Sequence, residues 1–236
     1  VKNHPWWNMW NPHSTIYPQQ DGYGFSFPGE NARDRTALMA LYNALEWNGK
    51  SYWNWGSDQP LALWYGVMTD ENGVTDIPYM NDVQGSLPEE IWNLTNLTTL
   101  QLVGDFTGTI PNDIGNLTHL KRLYLDGNLS GTIPASIGNL VNLEELDLRE
   151  NLLTGSIPEN ITSLTKLKSL SLYNNNLTGN IPVGIGNLPS ISRIHLSGNR
   201  LSGEIPSDIK NHSYMGSYYK SWIAPQQDGY GFTNVD

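Results

Sequence analysis

Apolar and polar residues follow a pattern that returns every 23 or 24 residues through the middle of the chain. Each unit has two apolar residues separated by one residue, and it ends in an apolar residue followed by proline. The apolar pairs are Ile77/Tyr79, Leu100/Leu102, Leu123/Leu125, Leu146/Leu148, Leu170/Leu172 and Ile194/Leu196. The proline steps are Leu87-Pro88, Ile110-Pro111, Ile133-Pro134, Ile157-Pro158, Ile181-Pro182 and Ile205-Pro206. A period of two predicts short strands with both apolar side chains pointing inward.

A single unit cannot bury its own apolar residues, so at least three units must stack to form a core. Their strands then form one parallel sheet with neighbours about 4.8 Å apart. An Asn or Asp follows each apolar pair, and we expect these side chains to form a ladder that satisfies buried backbone groups where each unit turns. The expected ladder consists of Asp82, Asp105, Asn128, Asn151, Asn175 and Asn199. The first three units are one residue shorter after this position, which we expect only to tighten one corner.

The unit LEELDLRENLLTGSIPENITS (143–163) resembles the leucine-rich repeat in its LxxLxxLxLxxNxLxGxIPxxIxN variety. This variety occurs in plant receptor ectodomains and in bacterial surface proteins. The resemblance implies an α/β fold: a right-handed leucine-rich-repeat solenoid of about six coils, with short parallel strands on the concave face. We assign the repeat array to residues 74–210. Non-catalytic recognition of a ligand is the function that the resemblance implies.

The segments that flank the array are predicted to cap it. Residues 28–73 resemble the N-terminal cap of such arrays, with a helix over about 34–47 that Asp34 would cap. In plant receptors cysteines usually flank this cap, but the chain has no cysteine, a feature more similar to the bacterial surface versions. The aromatic residues of 211–236 are expected to cover the leucines of the last coil, as terminal caps must.

The octapeptide PQQDGYGF occurs twice, at 18–25 and at 225–232. Because the second copy follows the last unit of the array, we interpret residues 1–27 as an aromatic tail that closes another array upstream. Two alternatives remain: one module could use the same segment at both ends, or DGYGF could be a carbohydrate- or calcium-binding loop. Under the first interpretation the full-length chain contains further leucine-rich repeat units.

Composition narrows the range of functions. The net charge is −10, and the sequence has no basic run, which argues against nucleic acid and anionic membranes as partners. No segment approaches the roughly 20 apolar residues that a membrane span requires. The five histidines are scattered, so we expect no metal site and no cofactor. We expect the protein to lie at the cell surface or to be secreted, and to bind a protein or glycan ligand.

The outward-facing strand residues are the candidate binding residues, because charged and aromatic side chains concentrate in the middle and late coils. They are Arg122, Tyr124, Asp126, Glu145, Asp147, Arg149, Tyr173, Arg193 and His195. The chief alternative is a structural spacer in a tandem array that displays another domain. Two minor alternatives are glycoside hydrolysis by Glu145 and Asp147, about 7 Å apart by strand rise, and ice binding by a ladder of hydroxyls. That ladder would consist of Thr107, Ser130, Thr154, Thr178 and Ser202.

Overall fold

A computed structural model of the chain describes residues 31–47, 50, 54–213 and 215–235. The predicted tail at 1–27, with the first copy of the octapeptide, lies outside the described residues. The described part combines one helix of 13 residues at its N-terminal end with a stack of short parallel strands. Buried leucines and isoleucines form a single core cluster along this stack.

Helix α1 (Ala32–Ala44) begins earlier and ends earlier than the sequence predicts. Its N-cap is Asn31, whose side-chain oxygen accepts a hydrogen bond from the Asp34 backbone N–H at 2.7 Å. Asp34 is therefore not the cap; its buried carboxylate accepts a hydrogen bond from the Val74 N–H instead. At Leu45 the backbone becomes extended and forms strand β1 (Leu45–Glu46), so the chain pairs with the sheet rather than continuing as a helix.

One sheet contains most of the strands. Strands β2 (Met68–Asp70) and β3 (Gly73–Asp76) form an antiparallel pair, and β1 pairs antiparallel with β4 (Met80–Ser86). From β4 the sheet continues in parallel through β5 (Thr99–Thr109), β6 (Arg122–Ser130), β7 (Glu145–Asp147), β9 (Ser169–Ser171) and β11 (Arg193–His195). Leu100, Leu123, Leu146, Leu170 and Ile194 pair in register and are buried, which confirms the predicted stacking of these units.

The opposite edge of each coil carries a second, smaller sheet. It consists of β8 (Thr154–Ser156), β10 (Asn176–Gly179), β12 (Arg200–Gly203) and β13 (Gly231–Phe232), all parallel. Short 3-10 helices follow the first four proline steps, over Glu89–Asn93, Asn112–Asn116, Ala135–Asn139 and Glu159–Ser163. In the last two units Ile185–Asn187 and the short helix α2 (Ser207–Lys210) take this place.

The predicted inward pair of the first unit, Ile77 and Tyr79, is wrong in its second member. Tyr79 is 54% exposed, whereas its neighbour Met80 is fully buried and pairs with Leu102 of β5. The reason is Pro78, which has no N–H to donate and lies between the end of β3 and the start of β4. The strand is interrupted there, so the alternation starts again one residue later.

Asparagine side chains connect the last three regular coils. Asn151, Asn175 and Asn199 are all at most 4% exposed. The side-chain oxygen of each accepts a hydrogen bond from a backbone N–H of the preceding coil, respectively that of Leu129, Leu153 and Leu177. Each amide group donates to carbonyls of its own coil and of the preceding one. These bonds satisfy backbone groups that would otherwise be buried without a partner.

The first half of the predicted ladder is wrong. Asp82 and Asp105 are exposed, and Asn128 is half-buried. In these shorter units β5 and β6 run on through the corner as continuous strands, so backbone groups pair with each other where the later coils use an asparagine. Phe106 fills the corner: a Cβ at Gly127 would lie only 2.9 Å from its ring. The missing residue therefore changes the hydrogen bonding of the corner and does more than tighten it.

The C-terminal segment forms one further, irregular coil. The Leu196 and Ser197 N–H groups donate to the Trp222 carbonyl, at the C-terminal end of α3 (Tyr219–Trp222). Gln226 then takes the place of an asparagine: its side-chain oxygen accepts from the Leu201 N–H at 3.0 Å, and its amide donates to the Leu196 carbonyl. The second PQQDGYGF copy thus continues the ladder and ends in β13, which pairs with β12.

Candidate ligand-binding face

We call the side of β5, β6, β7, β9 and β11 that points away from the buried leucines the strand face. All nine predicted binding residues lie on it: Arg122, Tyr124 and Asp126 on β6, Glu145 and Asp147 on β7, Arg149 and Tyr173 two residues after β7 and β9, and Arg193 and His195 on β11. The structure brings five of them into one cluster: Asp126, Asp147, Arg149, Tyr173 and His195.

The other four predicted residues make none of the contacts that define this cluster. Arg122, Glu145 and Arg193 occupy the first position of their strands and make no ion pair within the described part of the chain. Tyr124 is half-buried beside Asp126. Among the described residues, opposite charges therefore pair across neighbouring strands at Arg149 and not at Arg122 or Arg193.

Arg149 is the centre of the cluster. Its Nε lies 3.5 Å from the Asp147 carboxylate and 3.6 Å from that of Asp126, and its Nη1 donates to the Tyr173 hydroxyl at 3.2 Å. Burial works to lower the pKa of Arg149, but the Tyr173 hydroxyl and the two carboxylates raise it overall. For Asp126 burial is the largest influence, and it raises the pKa despite the attraction of Arg149.

An aromatic row extends from this cluster toward the C-terminal end, and we define it as Tyr173, His195, Trp222 and Tyr218. Ring centroids are 4.3 Å apart between Tyr173 and His195, 6.3 Å between His195 and Trp222, and 4.7 Å between Trp222 and Tyr218. The planes of neighbouring rings differ by 37° or less; Trp222 and Tyr218 are stacked, and the other two pairs are tilted. His195 Nε2 is hydrogen-bonded to Ser197 Oγ at 2.9 Å, and burial lowers the pKa of this imidazole.

A shallow hollow of about 120 Å³ lies beside Arg149, toward the N-terminal end of the strand face and away from the aromatic row. Its lining residues are Tyr79, Gln101, Val103, Tyr124, Leu125, Asp126, Asp147 and Arg149. The sequence pattern places Tyr79 in the core and Trp222 and Tyr218 in a cap, so it does not indicate that they extend the binding face. For Trp222 and Tyr218 the sequence signal was the crowding of tyrosine and tryptophan in residues 214–230.

The described residues also bear on a metal site, a membrane span and the carboxylate pair Glu145 and Asp147. Across 31–47, 54–213 and 215–235 no group of three or more histidine, aspartate or glutamate side chains could hold a metal ion. No helix in this part of the chain is long and apolar enough to cross a membrane. Glu145 and Asp147 lie on the open strand face, where Arg149 already contacts the Asp147 carboxylate.

The sequence matches a family model described as a leucine-rich repeat region, over residues 79–154 and 109–211. Together these matches cover more than half of the chain. The chain belongs to the leucine-rich repeat proteins. The predicted family and the α/β repeat fold are thereby confirmed, since the parallel sheet and the stacked leucines agree with the match. No curated protein sequence matches this leucine-rich repeat protein.

Solved structures of plant proteins are similar to it. The plant peptide hormone receptor RGFR1 in complex with RGF2 has 36% sequence identity and a TM-score of 0.53; the match covers 55% of this chain and 21% of that chain. A plant ice-binding protein has 33% identity and a TM-score of 0.66, over 77% of this chain and 61% of that chain. The ectodomain of the Arabidopsis thaliana receptor kinase SOBIR1 has 26% identity and a TM-score of 0.60, over 74% and 98%.

This leucine-rich repeat protein therefore spans about a fifth of the receptor RGFR1 and nearly all of the SOBIR1 ectodomain. The similar structures include receptor ectodomains and one ice-binding protein. The resemblance of the cysteine-free cap to bacterial surface proteins stays a prediction, because the matches described above are all plant proteins.

Proposed function

We propose that this leucine-rich repeat protein is a non-catalytic recognition module that binds an extended segment of a protein partner across its strand face, outside the cell. The observation that carries this proposal is the continuity of the hollow, Arg149 and the aromatic row. Six strands, β4, β5, β6, β7, β9 and β11, and the C-terminal coil lie side by side. At about 4.8 Å each, these seven neighbours give a surface roughly 30 Å long. Aromatic side chains lie at both of its ends with Arg149 between them, and binding interfaces are enriched in aromatic residues and arginine.

The geometry of the aromatic row favours protein over glycan. A sugar ring stacks on an open aromatic face, but Tyr173 packs against His195 with centroids 4.3 Å apart, and Trp222 stacks on Tyr218 at 4.7 Å, so these rings partly cover one another. The edge of an aromatic ring carries the positive end of its quadrupole, which suits carbonyl oxygens of a peptide backbone. The peptide ligand in the RGFR1 complex supports the same class of partner.

Replacing Arg149, Tyr173 and Arg193 together tests this function. The Arg149→Gln, Tyr173→Ser, Arg193→Gln variant and the parent protein would be applied to an array of randomised peptides. We expect the parent to select a related set of peptides and the triple variant to lose that selection, because the cluster and one end of the row are removed. A matched variant at exposed positions off the strand face, Glu159→Gln with Lys166→Gln, should bind as the parent does. Unchanged selection by a folded triple variant would remove the strand face from consideration.

Ice binding is a second candidate, because the hydroxyl ladder is exposed and one similar structure is a plant ice-binding protein. Thr107, Ser130 and Thr154 each donate to a glycine carbonyl of the preceding coil, which aligns the hydroxyls in one row. Inhibition of ice recrystallisation would support this candidate if replacing Thr154 and Thr178 by Lys abolished it. Inhibition that survives those changes, or none in the parent, would exclude this ladder as an ice-binding face.

The spacer hypothesis remains as a structural alternative. Under it the strand face binds nothing, and the array only displays a neighbouring domain. A parent protein that selects no peptides from the array, together with additional PQQDGYGF units in the full-length chain, would favour the spacer.

A further inference from the structure

Three large apolar side chains are exposed together at the N-terminal end of the strand face: Tyr65, Met68 and Tyr79, with 60%, 62% and 54% of their surface accessible. We call them the amino-terminal patch. Gly66 lies against the side chain of Pro78; a Cβ on this glycine would fall 2.5 Å from the Pro78 Cβ.

 The backbone of Gly66 has a φ of +74°, which a side chain would strain, so this close contact with Pro78 depends on glycine. The contact holds the loop that carries Tyr65 against the residue that precedes Tyr79.

Tyr79 also lines the hollow, so the amino-terminal patch and the hollow share one wall. The opposite side of the hollow carries the carboxylates of Asp126 and Asp147, and Tyr124 and Val103 lie between the two sides. With about 120 Å³, the hollow has room for the head of one side chain. Aromatic walls facing carboxylates are the surroundings that favour a cation, through cation–π attraction and charge pairing together.

The negative charge of the hollow is only partly balanced. Asp126 and Asp147 share the single guanidinium of Arg149, and Glu150 adds a further negative charge beside them. Arg149 lines the hollow as well, but its Nη1 bonds the Tyr173 hydroxyl and its guanidinium lies 5.8 Å from the centre of the Tyr173 ring. Burial raises the pKa of Asp126; Arg149 lowers it, and the like charges of Glu150 and Asp147 add to the increase.

We propose that the hollow binds the Lys or Arg side chain of the partner segment and that an apolar neighbour of this residue lies on the amino-terminal patch. This inference rests on the proposed function, since it takes the strand face as the recognition surface, and it names the chemistry of the partner: a basic segment with an adjoining apolar residue. The net charge of −10 adds a long-range attraction for such a segment.

Titration with two small probes tests the cation site directly. N-acetyl-arginine methylamide and its uncharged citrulline counterpart would each be added to isotopically labelled protein and followed by NMR. We expect the arginine probe to shift amide signals around Val103, Asp126 and Arg149 in a saturable way, and the citrulline probe to leave them unchanged. Tyr79→Ser should weaken arginine binding by about two- to fivefold, the loss of one exposed cation–π contact.

Matched variants separate this inference from general charge effects. Asp126→Asn should weaken binding of the arginine probe, whereas Asp113→Asn, which removes an equal charge from an exposed position after the proline step, should not. Equal shifts with both probes, or unchanged binding by both Tyr79→Ser and Asp126→Asn, would overturn the inference. If the arginine probe fails while the peptide array still distinguishes the parent from the triple variant, the cation site is wrong and the proposed function stands.

Discussion

Asn175 and Asn128 hold the same place in the repeat pattern, but their surroundings differ. The Asn175 side chain is buried and bonds four backbone groups of two coils, among them the Leu153 N–H. Each buried partner left unsatisfied costs about 1–3 kcal/mol, so we expect Asn175→Ala to lower the free energy of unfolding by about 3 kcal/mol or more. Asn128→Ala should change it by no more than about 0.5 kcal/mol. Urea denaturation measures both, and similar losses would contradict the assignment.

This contrast shows why a repeat pattern predicts the ladder only in part. Spacing identifies the position of each Asn or Asp, but the hydrogen bonds depend on the length of the corner that follows. In the shorter units the strand continues and Phe106 occupies the corner, so the backbone needs no amide there. Pro78 has a similar effect on Tyr79: a single missing N–H changes which of two neighbouring residues is buried.

Protonation of His195 should lower the free energy of unfolding as the pH falls. Burial lowers the pKa of this imidazole below its ordinary value of 6.5, so the unfolded chain takes up the proton more readily. The contribution of neutral His195 is complete above about pH 6.5 and declines below it. Between about pH 8 and about pH 5, we therefore expect the parent to lose more unfolding free energy than His195→Gln. Equal slopes for the two proteins in denaturation series would contradict the burial of a neutral ring.

At the scale of the element, the C-terminal coil depends on a glutamine that acts as an asparagine. Gln226 accepts from the Leu201 N–H and donates to the Ile223 carbonyl at 2.6 Å, which ties the last coil to β12. We expect Gln226→Ala to speed hydrogen exchange at the Leu201 amide, because this bond has no substitute. Asp228→Ala, in the same octapeptide but exposed, should leave that rate unchanged. An unaltered Leu201 rate in Gln226→Ala would show that the glutamine is dispensable.

The aromatic composition of this element predicts a cover for the last leucines; Met215 and Ile223 are buried there, Tyr219 and Trp222 are partly buried against the core, and Tyr218 is exposed. The ladder function of Gln226 could not be predicted in the same way. It lies 27 residues after Asn199 rather than 24, and its longer side chain makes up for a backbone that follows an irregular course. The sequence also did not predict that Trp222 extends the binding face, because this residue does not correspond to any position of the repeat pattern.

At the scale of the whole molecule, each coil packs chiefly against its neighbours, so stability is approximately a sum along the stack. Removing residues 212–236 should therefore loosen the chain from one end and leave the other end protected. We expect faster hydrogen exchange over β11 and β12 and unchanged exchange over β5 and β6. Loss of protection along the entire chain would indicate that the stack unfolds as one unit.

The overall charge of the molecule gives a prediction for the binding of a basic segment. A charge of −10 attracts cations over distances that salt screens, with a Debye length of about 8 Å near physiological ionic strength and about 3 Å at 1 M. Contacts of apolar residues with Tyr65 and Met68 do not weaken with salt. A peptide that is both basic and apolar should thus lose association rate as salt rises while its dissociation rate changes less. Surface plasmon resonance at two salt concentrations measures the two rates separately. A salt effect on the dissociation rate alone would mean that charge acts only in the bound complex. That result would contradict long-range attraction by this acidic chain.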